Sequence, residues 1–333
     1  MKAICSSHSI VPGVPTSSPS RLLLLRPSAS CLFVSRLNFQ TVCFPRPRKN
    51  PRKDAARPHA PSCLLSEWER EVGQEEELRV LTSIRTEHND VVVVDGPKSR
   101  FLLLDSTHNV HSVFNKGRGD NWTGSYWDEF AALPAIVPDG AIGIYGLGGG
   151  TSARLMLDLW PGVRIVGWEI DGVLIDVARE FLGLADIERP NLAGGFVDVR
   201  IGDVFCDEAP GVKYAGIAVD LFSKGKVLGD LEKVDTWIKL KGRLMPGGRI
   251  MANSASGDEE EGVGGQRNVG WRTNAMIRAM REAFPGELWW KKMARDEGEN
   301  FLVLTGKDLD LDSWSAKVSG RLRKSVRDWR ACS

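Results

Sequence analysis

Three carboxylates and a glycine turn stand at intervals suited to holding a nucleoside. The apolar run Ala141-Ile142-Gly143-Ile144-Tyr145 leads into Gly146-Leu147-Gly148-Gly149-Gly150-Thr151, and Trp168-Glu169-Ile170-Asp171 follows, with Glu169 nineteen residues beyond Gly150. That is near the interval of about 20 residues at which an acid on the next strand tip reaches a ribose. Glycines let the main chain approach a ligand that a Cβ would exclude. An ionised carboxylate has lone pairs enough to accept from both ribose hydroxyls. Asp203, after Ile201-Gly202, is placed to accept from an adenine amino group. Asp220, after Ile217-Ala218-Val219, is placed at the reaction centre as a candidate base. For Asp171 two roles stand side by side: helix cap or ligand contact. The ligand expected is a nucleoside at the carboxyl edge of a parallel sheet.

The elements that must position these residues follow from the pattern. Apolar runs at Val80–Arg85, Asp90–Asp95, Arg100–Leu104 and Val110–Phe114, separated by Glu87-His88-Asn89 and Asp95-Gly96-Pro97, predict a small antiparallel β meander. From Pro138 strands alternate with helices. Strands are predicted over Ala141–Gly146, Val163–Trp168, Val197–Ile201, Gly216–Leu221 and Arg249–Asn253, and helices over Ser152–Trp160, Gly172–Leu182, Asp230–Leu244 and Thr273–Phe284. Glu287–Lys291 and Asn300–Leu304 close the series as an antiparallel pair. Such alternation gives a doubly wound sheet with right-handed crossovers. Leu311, Trp314, Val318, Leu322, Val326 and Trp329 recur at helical spacing and predict a C-terminal helix. Either it docks on the body with a solvated basic face, or it serves a partner or membrane surface. The Gly- and Glu-rich residues 253–270 are either a lid or a solvated insertion. The divisions expected are a leader and linker (1–60), a small β domain (61–135), a nucleotide-type domain (136–307) and the C-terminal helix (308–333).

The net charge of +1 hides an uneven distribution. Residues 1–53 hold nine Lys or Arg, nine Ser and no acid, a composition that describes an organelle transit peptide, with a disordered basic arm as the alternative. Hydroxyl content favours chloroplast over mitochondrion. Residues 55–63 read as a linker, and Ser66 to Glu77 as a short acidic helix. Without the nine leader cations, 35 Lys and Arg face 43 Asp and Glu, a net of −8, which argues against nucleic acid as a partner. No apolar run reaches the ~20 residues needed for stable membrane insertion. Only Cys206 and Cys332 lie in the body and no Cys/His ligand spacing occurs, so no metal site is expected.

The ordered set GLGGGT, WEID, IGDVF, VDLF and LMPGG resembles the spermidine synthase (polyamine biosynthesis) family of class I S-adenosylmethionine (AdoMet)-type transferases. Val93-Val94-Asp95-Gly96 and Leu103-Leu104-Asp105 are similar to that family's N-terminal β domain, and Tyr126-Trp127-Asp128-Glu129 to its Tyr-X-Glu segment. The resemblance spans roughly residues 78–305. It implies an α/β fold: a seven-stranded doubly wound Rossmann-like methyltransferase sheet ending in a hairpin, preceded by the small antiparallel domain. It also implies AdoMet or its decarboxylated form as cofactor, held by Gly146, Gly148, Gly149, Gly150, Thr151, Glu169 and Asp203, with Asp220 as catalytic base. Tyr126 and Glu129 are the implied substrate contacts, and a homodimer is implied by the resemblance alone. Trp122 and Trp127 either wall an acceptor pocket or belong to the core.

The chain departs from the family pattern at two places. Thr151 replaces an acid after the glycines, and Leu221-Phe222-Ser223-Lys224-Gly225 replaces a loop with a second acid. An ammonium in a partly enclosed site is recognised by carboxylates, so these changes weaken diamine recognition. Lys224 is expected to repel a diamine, and the Thr151 hydroxyl to bond the carboxylate of intact AdoMet. Three functions stay open: transfer of a methyl or related alkyl group to a small-molecule acceptor of unknown identity, genuine aminopropyl transfer, and non-catalytic nucleoside binding.

Overall fold

The computed structural model describes residues 78–107, 109–117, 119–206, 211–254, 272–293 and 300–332. The leader, the linker, the acidic segment Ser66 to Glu77 and all of the Gly/Glu-rich loop beyond Ser254 lie outside the described residues. The small sheet is an antiparallel meander of β1 (Arg79–Arg85), β2 (Asp90–Asp95), β3 (Ser99–Leu103) and β4 (Ser112–Asn115), in sequence order. Val91, Val93 and Val94 of β2 are buried while edge strand β1 stays largely exposed. The tight β2–β3 turn closes through the Gly96 N–H on the Ser99 carbonyl, 2.9 Å.

The large sheet contains β5 (Ile142–Tyr145), β6 (Arg164–Glu169), β7 (Phe196–Ile201), β8 (Tyr214–Val219), β11 (Leu244–Ser254), β12 (Leu288–Lys292), β13 (Phe301–Thr305) and β14 (Arg330–Ala331). Between β8 and β11 a hairpin of β9 (Phe222–Ser223) and β10 (Lys226–Val227) stands apart from it. The spatial order is β14-β12-β13-β11-β8-β5-β6-β7. Strands β11, β8, β5, β6 and β7 run parallel, and β13 turns antiparallel to β11. This is the expected doubly wound sheet with its closing hairpin, extended at one edge by the two-residue β14. The order reverses at β5, where the crossover to β6 goes one way and that to β8 the other. The carboxyl ends there form the crevice in which such sheets bind ligands.

Eight short helices complete the described residues: α1 (Tyr126–Phe130), α2 (Thr151–Leu159), α3 (Gly172–Phe181), α4 (Leu184–Ile187), α5 (Val234–Gly242), α6 (Ala275–Ala283), α7 (Leu311–Lys317) and α8 (Leu322–Ser325). The core between sheet and helices includes Ile217, Val219, Ile250, Ala252, Met280 and Phe301. Burying one such aliphatic side chain contributes about 1.5–3 kcal/mol.

Two expectations are corrected. The helix expected over Asp230–Leu244 is interrupted at Lys233, which is extended, so that a 3-10 turn (Gly229–Glu232) precedes α5; Leu244 already belongs to β11. The strand expected over Arg249–Asn253 is correspondingly longer, with its pairing to β8 shifting between Leu244 and Arg249. The single C-terminal helix is broken as well. α7 ends at Val318, which is extended, and the chain passes through α8 and a 3-10 turn (Val326–Asp328) before β14 pairs with β12. Val318, Ser319 and Gly320 are poor helix formers, and a straight helix cannot return to the sheet edge. The buried set is nevertheless the one expected: Trp314, Val318, Leu322, Val326 and Trp329. The segment therefore docks on the body, with the Trp314 indole donating to the Ala132 carbonyl at 3.0 Å.

Candidate active site

A cavity of about 380 Å³ opens at the carboxyl ends of β5, β6, β7 and β8. The large sheet supplies Gly146, Gly148, Glu169, Asp203, Asp220 and Asn253 to its wall, the small sheet and its loops supply His88, Asn89 and His111, and α1 supplies Tyr126. No Lys or Arg is among the described residues that line it, whereas three carboxylates are.

The glycine turn divides into two halves with different tasks. Gly146 has φ +85, and a Cβ there would lie 2.2 Å from the Asp220 carbonyl oxygen, so only glycine allows β5 and β8 to converge. Gly148, φ +54, faces the cavity and donates its N–H to Glu169 Oε2 at 3.0 Å. Gly149, Gly150 and Thr151 face the protein instead and do not line the cavity. The Gly149 N–H donates to Ser112 Oγ at 2.8 Å, and a Cβ on Gly150 would meet Leu184 at 3.0 Å. The Thr151 hydroxyl accepts from the Val113 N–H at 2.9 Å and donates to the Val113 carbonyl at 3.1 Å. It pins α2 to β4, which corrects the expectation that it bonds a cofactor carboxylate. Gly149 and Thr151 thus help to dock the small sheet over the turn.

Glu169 ends β6 with each carboxylate oxygen holding one main-chain N–H, Oε2 from Gly148 and Oε1 from Asp171 at 3.2 Å. Each oxygen keeps a further lone pair for a ligand hydroxyl. Burial pushes its carboxyl up, the N–H groups of Gly148 and Asp171 oppose this, and the Asp171 charge adds to the rise. Asp171 itself is spoken for. Its Oδ1 caps α3 through the Val173 and Leu174 N–H groups, and its Oδ2 accepts from Thr86 Oγ1 at 2.6 Å and Asn89 Nδ2 at 2.8 Å. It is a cap and a tie to the β1–β2 turn. Asp203 lines the cavity after β7 and steadies its own turn by accepting the Phe205 N–H at 2.9 Å.

Asp220 ends β8 at the other end of the cavity. Its Oδ1 accepts from Asn253 Nδ2 at 2.9 Å and its Oδ2 from the Tyr126 hydroxyl at 3.2 Å. Burial raises its carboxyl above the ordinary range, while the hydrogen bonds of Asn253 and Tyr126, the charge of His111 and Trp127 pull the other way. A carboxyl lifted by burial holds a proton more firmly than a free one and is suited to taking one. Tyr126 is thus brought to the site as expected.

Glu129, one helical turn further, is not. It is buried against Lys291 of β12 (Oε1 to Nζ, 2.8 Å) and accepts from Ser325 Oγ. Its expected role as a substrate contact is corrected on position: it does not line the cavity, and its Oε2 is buried in the interior without a hydrogen-bond partner among the described residues. Lys224 is also displaced from the part expected of it. It sits exposed at the tip of the β9–β10 hairpin with φ +52 and is not among the residues that line the cavity, although Ser223 and Gly225 on either side of it are. Trp127 is 3 % exposed and stacks near Tyr126 with ring centroids 4.8 Å apart, and Trp122 lies under Arg321; neither lines the cavity.

Sequence reasoning missed Asn253 and His111. Asn253 follows the apolar Ile250-Met251-Ala252 at a strand end, the same signal that singled out Asp203 and Asp220. His111 carries no such signal, because only the docking of β4 brings it to the cavity. Three residues of the wall hold a buried polar atom without a hydrogen-bond partner among the described residues: Asn253 Oδ1, His111 Nε2 and Trp168 Nε1. Buried polar groups are nearly always paired, so a cluster of unpaired ones around one cavity fits a site completed by a polar ligand.

No family model matches the sequence. A probable polyamine aminopropyl transferase from Bifidobacterium longum (strain NCC 2705) is 25% identical over 236 residues, covering 65% of this chain and 50% of the relative. The chain thus spans about half the length of the curated relative it matches. Among solved structures, the spermidine synthase from Thermotoga maritima superposes with a TM-score of 0.51 at 15% identity, covering 74% of this chain and 78% of that one. A spermidine synthase in complex with the transition-state analogue AdoDATO gives a TM-score of 0.51 at 16% identity, with the same coverages. With its strand order, its small antiparallel sheet and these neighbours, the chain has a spermidine synthase-like class I methyltransferase fold.

Proposed function

We propose that this chain is a transferase that binds an adenosyl sulfonium of the AdoMet type and moves an alkyl group from it to a small-molecule acceptor. The observation that carries this is the convergence of Glu169, Asp203 and Asp220 with the Gly146 and Gly148 main chain on one cavity. Glu169 takes the ribose hydroxyls and Asp203 the adenine amino group. The bound sulfonium supplies an activated carbon. Asp220 takes the proton of the attacking acceptor group, and Tyr126 and Asn253 hold its two oxygens in place. The acceptor's lone pair forms the new bond as the carbon–sulfur pair returns to sulfur. The protein contributes orientation and exclusion of water. The relative named as an aminopropyl transferase and the neighbour bound to AdoDATO support a nucleoside ligand of this class.

A second reading, aminopropyl transfer to a diamine, is favoured by one observation: the described cavity wall carries three carboxylates and no Lys or Arg. Product analysis decides between the two, since only the second yields a triamine from a diamine. The shared premise is tested by calorimetry with methylthioadenosine, AdoMet and decarboxylated AdoMet. Glu169→Ala is expected to weaken all three by at least about tenfold, as loss of charged hydrogen bonds does; unchanged affinity defeats the proposal. We further propose that residues 1–60 direct the protein to the plastid. A fluorescent fusion of that segment that stays in the cytosol refutes this.

A further inference from the structure

We infer that His111, backed by Asp105, selects the carboxylate-bearing form of the sulfonium, so that the donor used is intact AdoMet. The inference rests on the nucleoside reading above and adds to it the chemical form of the donor's tail.

The argument begins with position. Ser112 Oγ donates to the His111 carbonyl at 2.6 Å and accepts the Gly149 N–H at 2.8 Å, which latches the start of β4 onto the glycine turn. A Cβ on Gly148 would lie 3.8 Å from the His111 carbonyl oxygen. The residue is thereby held over the cavity-facing half of the turn. His111 lines the cavity, near enough to Asp220 for its charge to act on that carboxyl. With the ribose on Glu169 and the reacting carbon at Asp220, the sulfur and its amino-acid tail occupy the stretch between them, which is the stretch beneath His111.

Charge supplies the second step. Glu169, Asp203 and Asp220 line the cavity, and among its described residues only His88 and His111 can carry a positive charge. His88 is exposed on the β1–β2 turn, where its charge bears on Asp171. That leaves His111 at the tail. A carboxylate brought into a wall of acids requires a cationic or donor partner, and Thr151, the other group expected to meet it, is committed to β4.

The third step is the imidazole's own setting. Nε2 is buried with no hydrogen-bond partner and stands 3.7 Å from Asp105 Oδ2, at ion-pair distance. Asp105 does not line the cavity. Its Oδ1 is held by the Thr107 N–H at 2.9 Å and by the Thr107 hydroxyl. A fixed carboxylate beside the ring steadies the imidazole without satisfying Nε2, whose hydrogen-bonding capacity is left for a ligand. This is the arrangement in which a second-layer acid orients a histidine.

The test uses the full chain and three ligands. Wild type is expected to bind AdoMet at least about tenfold tighter than decarboxylated AdoMet, the size of one charge-assisted contact. His111→Gln is expected to abolish that preference while leaving methylthioadenosine affinity within about twofold, and His111→Arg to restore it. Three results overturn the inference alone: wild type preferring the decarboxylated donor, His111→Gln leaving the preference intact, or His111→Gln weakening all three ligands alike. Wild type that fails to bind methylthioadenosine sinks the nucleoside reading itself, so the two failures are distinguishable. Should His111→Gln not fold, the wild-type preference and Asp105→Asn, expected to lower it, still decide.

Discussion

Two carboxylates, Glu129 within α1 and half-buried Asp220 against it, have opposite fates. Glu129 meets Lys291 and Ser325 in the interior, where side-chain exposures of 6 % and 5 % place the ion pair away from the cavity wall. Asp220 accepts from the neutral donors Tyr126 and Asn253 at the wall of an open cavity. A carboxylate closed by a cation in the interior serves the fold. A carboxylate closed by a hydroxyl and an amide is oriented and stays able to exchange a proton. The same helix, through Tyr126 and Glu129, reads out both, which ties the C-terminal segment to the geometry of the site.

The largest effect that would break this contrast is on turnover. Asp220→Asn is expected to lower the rate by about 10²–10⁴-fold, the usual contribution of a positioned acid–base group, while stability to denaturant changes by less than about 1 kcal/mol. Unfolding of this variant would place Asp220 in the same class as Glu129. Conversely, Lys291→Met strands a buried charge and is expected to destabilise by about 3–5 kcal/mol, with methylthioadenosine affinity of the folded fraction retained. Urea titration and calorimetry on the same samples check both halves.

Asp128 sharpens the comparison through pH. Burial raises its carboxyl to about 6 against the hydrogen bonds of Thr123 and Gly124, with the Glu129 charge adding to the rise. Between about pH 4 and 6 the folded chain then holds a proton that the unfolded chain has released, so stability contributed by this group falls as pH rises through that window. Asp128→Asn is expected to remove up to about 3 kcal/mol of that pH dependence, measured as the difference between denaturation curves at pH 4 and pH 7. A wild-type and variant pair with parallel pH profiles would show that the group titrates normally.

The smallest effect concerns the docking of the small sheet. Thr151→Val removes both bonds to Val113 and is expected to destabilise by about 1–3 kcal/mol, with AdoMet affinity unchanged per folded molecule. A selective loss of AdoMet over methylthioadenosine in this variant would return the carboxylate to Thr151 and take it from His111.

Much of the site was legible because it lies at strand ends. Apolar runs that stop at Glu169, Asp203 and Asp220 mark the carboxyl edge of a parallel sheet directly, and the interval from Gly150 to Glu169 relates the first two strand tips. Asn253 had the same signature and was legible in principle. Thr151, Lys224 and Glu129 were misplaced for a common reason. Each is near the site in sequence, yet whether its side chain meets the cavity depends on a surface supplied by distant residues: β4 for Thr151, the hairpin turn for Lys224, and β12 with α8 for Glu129.

Local order, then, was decided by the amino-acid sequence: the alternation of strands and helices, the turn that demands glycine, and the acids that end each strand. These follow from side-chain periodicity and main-chain sterics, which act between neighbours in the chain. Only the tertiary structure decided which polar groups are consumed and which remain for a ligand. It turned Thr151 inward, closed Glu129 with Lys291, and brought His111 from the small sheet over the glycine turn, because hydrogen-bond satisfaction in a packed interior is settled between residues far apart in the chain.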